Sequence, residues 1–191
     1  ENTTRLLHNL LPLRGARVRD PRIWSQHITD AMVMFGDQTD ILIGQHHWPT
    51  WGRGEVRTYL EAQRDLYKFI HDQTVRLMNI GLNPGEIAEA LELPPGLDQV
   101  WSVRGYYGAI RHNAKAVYQR YLGWYDANPA NLNPPTRRET GRKTVEYMGG
   151  ADAILSRAQA DFAAGEYRWV AQVLSHLVFA EPENRDGRAL L

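Results

Sequence analysis

The chain has 191 residues, 43% of them hydrophobic, enough to bury a sizeable core in one large domain or in parts of two. Its 22 basic and 22 acidic side chains cancel, so no net field recruits nucleic acid or an anionic membrane surface, and any anion must be held by local groups. With no cysteine, disulfides, thiolate nucleophiles and thiolate metal sites are excluded, which leaves histidine and carboxylate as the strong zinc ligands.

The opening stretch "ENTTRLLHNLL" has no basic region followed by an apolar one, so it reads as neither a signal peptide nor a membrane span. There is no initiating methionine, and "GRALL" stops inside a helical apolar pattern. Together these predict a segment of a longer protein. Asp20-Pro21 pairs an N-cap with a first-turn proline, and Ile23, Trp24, Ile28, Ala31, Met32 and Phe35 follow at helical spacing up to Gly36-Asp37. "TDILIGQ", β-branched at Ile41 and Ile43, predicts a buried strand whose partners precede residue 1. One helix, turn and buried strand make a single α/β step.

After Gly54 the pattern becomes helical. Val56, Leu60, Gln63, Tyr67, Ile70, Thr74 and Leu77 trace one face of a helix of about seven turns. Tyr59, Leu66 and Met78 widen that stripe, and with Tyr67 and Phe69 they predict a second face for a twofold-related copy. Asn83-Pro84 starts a short amphipathic helix that stops before Pro94-Pro95. A third helix is expected from about Tyr106 to Tyr125, then a proline-asparagine loop, "NPANLNPP", and renewed helix from Arg137. In the last forty residues, small residues at Ala153, Ala158, Ala171 and Ala180, Gly165 at a turn and a closing Pro182 fit one degenerate tetratricopeptide-like hairpin or an ordinary helical hairpin.

No HxHxDH, HExxH or i, i+4 histidine pair links the seven histidines, so no complete metal site is encoded locally. His27, His71 and His176 lie on amphipathic helices and read as hydrogen-bonded helix residues. His46 and His47 follow the end of the predicted strand, where α/β sheets place ligand groups. Consecutive strand-end side chains point to opposite sides, so one can face a site while the other packs. Arg14 sits in a basic cluster with Arg5, Arg17 and Arg19; its fork can hold a sulfate or phosphate, and a solvated cluster is the alternative. Tyr106, Arg111 and His112 can reach a cleft from one helical turn.

The strings "ENTTRLLHNLLPLRGARVRD", "GQHHWPTWG", "QRDLYKFIHDQTVRLMNIGLNPGEIAEALELPP", "RGYYGAIRHNAKAVYQRYLGWYDANPANLNP", "MGGADAILSRA" and "YRWVAQVLSHLVFAEPEN" resemble the zinc-dependent alkyl sulfatases of the metallo-β-lactamase superfamily, the group of the bacterial sodium dodecyl sulfate hydrolases. The resemblance runs through essentially the whole chain. It implies a mainly α fold: residues 1–51 as the end of a metallo-β-lactamase-like αββα domain, an α/β remnant, and 52–191 as an all-helical dimerisation domain. It further implies hydrolysis of linear alkyl sulfates to alcohol and inorganic sulfate by two zinc ions per site in a homodimer.

By the same resemblance Glu1 bridges the zinc pair and His46 is the last histidine ligand, both catalytic, while Arg14 lies at the sulfate end of the cleft. Tyr106, Arg111 and His112 are the further substrate-binding candidates. Two zinc ions about 3.5–4 Å apart lower the pKa of a water between them. With only two of the family's ligands in the chain, the segment alone is expected to bind zinc poorly and to be inactive. The resemblance favours a periplasmic or secreted protein, with a cytoplasmic one compatible. A stand-alone helical interaction module is the rival reading, and neither nucleic acid nor a membrane span is expected.

Overall fold

The computed structural model describes residues 2–191. Helix α1 spans Pro21–Phe35 because Asp20 accepts from the Ile23 N–H and Pro21 presets the first turn. Its Trp24 and Ile28 are buried, while Ile23 and Phe35 face outward. Helix α2, Arg53–Asn79, runs 27 residues, about 40 Å. Every residue of its expected stripe, Val56, Leu60, Gln63, Tyr67, Ile70, Thr74 and Leu77, is buried. A capping box starts α3, Pro84–Ala90: the Asn83 side chain accepts from the Gly85 and Glu86 N–H groups, and the Glu86 carboxylate accepts from the Asn83 N–H. The short α4, Pro95–Asp98, and then α5, Ile110–Leu122, follow.

Three expectations are corrected. Strand β1 is only Ile41–Leu42 and pairs antiparallel with β2, Thr50–Trp51. Alternation turns Leu42 toward the core and leaves Ile41 and Ile43 52% and 75% exposed, so the β-branched pair is the outward face and not a buried one. The third long helix starts at Ile110, four residues later than its apolar spacing suggests, because residues 105–108 lie against the N-terminal segment. The face assigned to a twofold partner is filled from within the chain. Tyr59, Leu66 and Tyr67 are at most 5% exposed in the core with α1 and α5, and Phe69 and Met78 pack beside Leu77, Ile87 and Tyr118.

The chain forms two compact units that divide between Asn128 and Pro129. The 51/52 boundary implied by the resemblance falls inside the first unit, where α1, α2 and α5 share one core with Leu7 and Leu10. Trp24 stacks on Tyr67 at 4.5 Å in that core. The second unit holds α6, Arg137–Tyr147, α7, Ala151–Ala163, α8, Tyr167–Ala180, and α9, Arg185–Leu190. Helices α7 and α8 form the expected hairpin, with Gly165 at φ +86° in the turn. Ala158 and Leu174 are buried in it, and Asn184 caps α9. Helix α6 also lies close against α8: a Cβ on Gly141 would meet the His176 carbonyl at 2.6 Å. No helix among the described residues is long and apolar enough to cross a membrane.

Candidate functional site

The site is built around an irregular segment, residues 2–14, whose backbone groups find partners on helices far along the chain. Tyr59 of α2 donates to the Thr3 carbonyl, and the Trp24 indole donates to Asn2 O at 2.8 Å. Burial, reinforced by the Tyr67 phenol, pushes the Tyr59 pKa well up, so it stays a donor across the ordinary pH range. The Tyr67 hydroxyl accepts from the His8 N–H at 3.1 Å. Asn113 of α5, fully buried, accepts from the Leu10 N–H at 2.9 Å and donates to His8 O at 2.8 Å, so one amide side chain completes two backbone groups. Gly108 lies so close that a Cβ there would stand 2.6 Å from Leu7 O, while its N–H bonds to that same oxygen at 2.9 Å.

The same segment meets the turn between β1 and β2. A Cβ on Gly44 would sit 2.4 Å from Thr3 O, so glycine permits the strand end to touch residues 3 and 4. His46, next but one, has φ +69°, a conformation that costs a non-glycine residue energy and is characteristic of sites where side-chain placement matters. The result is a cleft of about 340 Å³ lined by Thr4, Leu6, His8, Arg14, His46, Tyr106 and Tyr107. The His8 ring packs against Trp24 at 5.6 Å and edge-on to Tyr107 at 4.9 Å, and its Nδ1 is 3.0 Å from Asn9 O.

Three sequence-named residues therefore meet in one cleft: Arg14, His46 and Tyr106. Arg14 is carried by a tight turn in which the Gly15 N–H reaches Pro12 O at 3.1 Å. The other arginines of its cluster take different work or stay exposed. Arg19 donates to Asn9 O at 2.8 Å, Arg5 lies 5.8 Å over the Trp101 ring, and Arg17 faces solvent. Arg111 and His112 are not on the cleft. Arg111 pairs with Glu89 of α3 at 3.1 Å, and His112 Nε2 sits 2.6 Å from Leu11 O, bracing the segment from behind. Glu1 lies outside the described residues.

Of the remaining histidines, His71 bridges Tyr121 and Asp72, each at 2.7 Å, joining α2 to α5. Burial alone would raise the Asp72 pKa, but Lys68 and His71 hold it below the usual carboxylate range. Among the described residues no three His, Asp or Glu side chains come together as a metal-binding group. Sequence reading gave Asn113 and Tyr107 no role in the site and placed Tyr59 on a twofold face instead. The available signal was polar Gln63 and Thr74 inside the apolar stripe of α2 and an asparagine on an otherwise packed face of α5.

The family described as alkyl sulfatase dimerisation matches residues 83–191. The chain is 57% identical over 190 residues to an alkyl/aryl-sulfatase, BDS1, of Saccharomyces cerevisiae, all of this chain against 29% of the yeast protein. It is 52% identical over its full length to an (R)-specific secondary-alkylsulfatase of Pseudomonas sp., again spanning 29% of it. The solved structure of the stereoselective inverting sec-alkylsulfatase Pisa1 from Pseudomonas sp. superposes with a TM-score of 0.95 at 51% identity, covering all of this chain and 30% of that one. The chain thus spans under a third of the length of these relatives, and with a yeast protein among them the likeness is not confined to bacteria.

Proposed function

Because the chain belongs to the alkyl sulfatase dimerisation family, we propose that it is the helical part of a homodimeric sulfuric ester hydrolase that converts linear alkyl sulfates, such as dodecyl sulfate, to the alcohol and inorganic sulfate. The observation that carries this reading is the convergence of Arg14, His46 and Tyr106 on one cleft. An arginine fork matches the spread charge of a sulfate ester, and a neighbouring phenol can donate to one of its oxygens. A stand-alone interaction module has no need of such a convergence.

In this reading His46 and Glu1 are ligands of a zinc pair, a metal whose bound water becomes a nucleophile near neutral pH. The described residues fit that pair only in part. His46 offers one imidazole, His8 is packed between Trp24 and Tyr107, and no further His or carboxylate joins them. The other ligands belong to parts of the parent protein outside this chain. Arg14 orients the sulfate, and Tyr106 closes over it from the α5 side.

The test compares the full-length protein with residues 1–191 alone, by sulfate release from dodecyl sulfate and zinc content by mass spectrometry. The account expects two zinc ions per site and turnover in the parent, and neither in the segment. A full-length protein that holds zinc yet releases no sulfate overturns the sulfatase reading. Full activity without zinc overturns the metal assignment.

A further inference from the structure

The cleft continues past its own rim. Leu6 and Tyr106 also wall a second cavity of about 320 Å³, completed by His47, Trp101 and Arg104. His46 and His47 thus serve opposite sides: the first lines the Arg14 cleft and the second lines its neighbour. His47, Trp101 and Tyr106 give the second cavity an aromatic wall, and Trp48 packs against the first two. His47 lies 3.9 Å from Trp48 and edge-on to Trp101 at 5.4 Å, and the two indoles run nearly parallel, 24° apart at 6.2 Å. The Arg5 guanidinium, 5.8 Å over Trp101, braces that ring. Trp48 is nevertheless 60% exposed, Trp101 45% and Tyr106 86%. Within this chain, that aromatic surface lies beside a polar cleft and offers apolar area to a bound group.

The chemistry of an alkyl sulfate says what fits there. The molecule is charged at one end and apolar along the rest, so a sulfate held at Arg14 leaves its chain to leave the cleft across the shared wall. We propose that the groove walled by His47, Trp101 and Tyr106 binds the aliphatic tail of the ester whose sulfate occupies the Arg14 cleft, an inference that rests on the sulfatase reading above. Leu6 and Tyr106 form the ridge the tail crosses. Each methylene removed from water strengthens binding about fourfold, so the groove would make chain length a specificity determinant of kcat/KM.

The experiment uses the full-length protein and n-alkyl sulfates from butyl to dodecyl, with wild type, Trp101→Ala and Trp101→Phe compared. Calorimetric binding of the matching alkyl sulfonates, which are not hydrolysed, gives a second readout. In wild type, kcat/KM and sulfonate affinity are expected to climb with chain length, by up to about fourfold per methylene. Trp101→Ala should lower the dodecyl-to-butyl ratio about tenfold or more, with Trp101→Phe retaining most of it. An unchanged ratio in an active Trp101→Ala enzyme means that another part of the protein covers the groove, and it rejects the tail assignment alone. Equal losses at every chain length also reject it, leaving Trp101 a structural residue. A wild type inactive on every alkyl sulfate rejects the sulfatase reading and this inference with it.

Discussion

The two units of the chain solve their packing differently. In the second, the buried side chains Val145, Ile154, Ala158, Val170, Val173, Leu174 and Leu177 are all aliphatic. In the first, Thr4, His8, Asn9, Gln63, His71, Thr74 and Asn113 are buried as well, and among the described residues every buried polar side chain lies in this unit. An apolar core tolerates small shifts, whereas a buried polar group costs free energy unless its partner stays within hydrogen-bond reach. The first unit therefore fixes the geometry of an irregular segment and its cleft, while the second contributes helix packing. Polar burial marks where precision is needed.

That contrast can be broken by substitution. The largest effect is expected from Leu174→Ala, which empties a fully buried position in α8 and should destabilise the protein by about 4 kcal/mol in chemical denaturation. Turnover per folded molecule of the full-length enzyme should survive it; a loss there would erase the division of labour between the units. Asn113→Ala should cost about 3 kcal/mol, since it strands the buried Leu10 N–H and His8 C=O. Here kcat/KM for alkyl sulfates should fall in the folded fraction too, because the cleft loses its brace.

Gly141→Ala pushes α6 away from the His176 carbonyl and should lower stability by about 2 kcal/mol while sparing turnover. Asp20→Ala is the mildest, about 1 kcal/mol for a lost N-cap. Partial burial would raise the Asp20 pKa, but the Ile23 N–H and the Arg120 guanidinium, 2.8 Å away, hold it below the usual carboxylate range. A lowered folded-state pKa gives stability that is present above the ordinary carboxylate pKa and lost as pH falls through the lowered one. The gap between Asp20→Ala and wild type should thus narrow in acid, and a constant gap from pH 7 to pH 2 would contradict this.

Much of the helical framework was legible because its signals are local. Asp20-Pro21, Asn83-Pro84 with Glu86, and the apolar stripe of α2 each specify an element within a few turns of sequence. What escaped depends on distant partners. The start of α5 is set by the contact of Gly108 with Leu7 and His8, about a hundred residues away. Nothing near Ile41 or Ile43 says which face of a two-residue strand is covered. The site divides along the same line. Arg14, His46 and Tyr106 share a cleft, yet Arg111, one turn beyond Tyr106 in sequence, is drawn to Glu89, and His112 to Leu11. Asn113 carries no motif, and its importance shows only when the Leu7–Leu11 backbone is traced to its partners.

The most direct test of the central claim, that this mainly helical chain carries one side of the catalytic cleft, is His46→Ala in the full-length protein, with zinc content and sulfate release measured on one folded preparation. Among the described residues His46 belongs to none of the hydrophobic cores, so the substitution leaves the packing within this chain intact. The account predicts reduced zinc occupancy and a loss of sulfate release of at least about a hundredfold, as removal of a catalytic metal ligand or a transition-state contact produces. Unchanged zinc and unchanged turnover would contradict it.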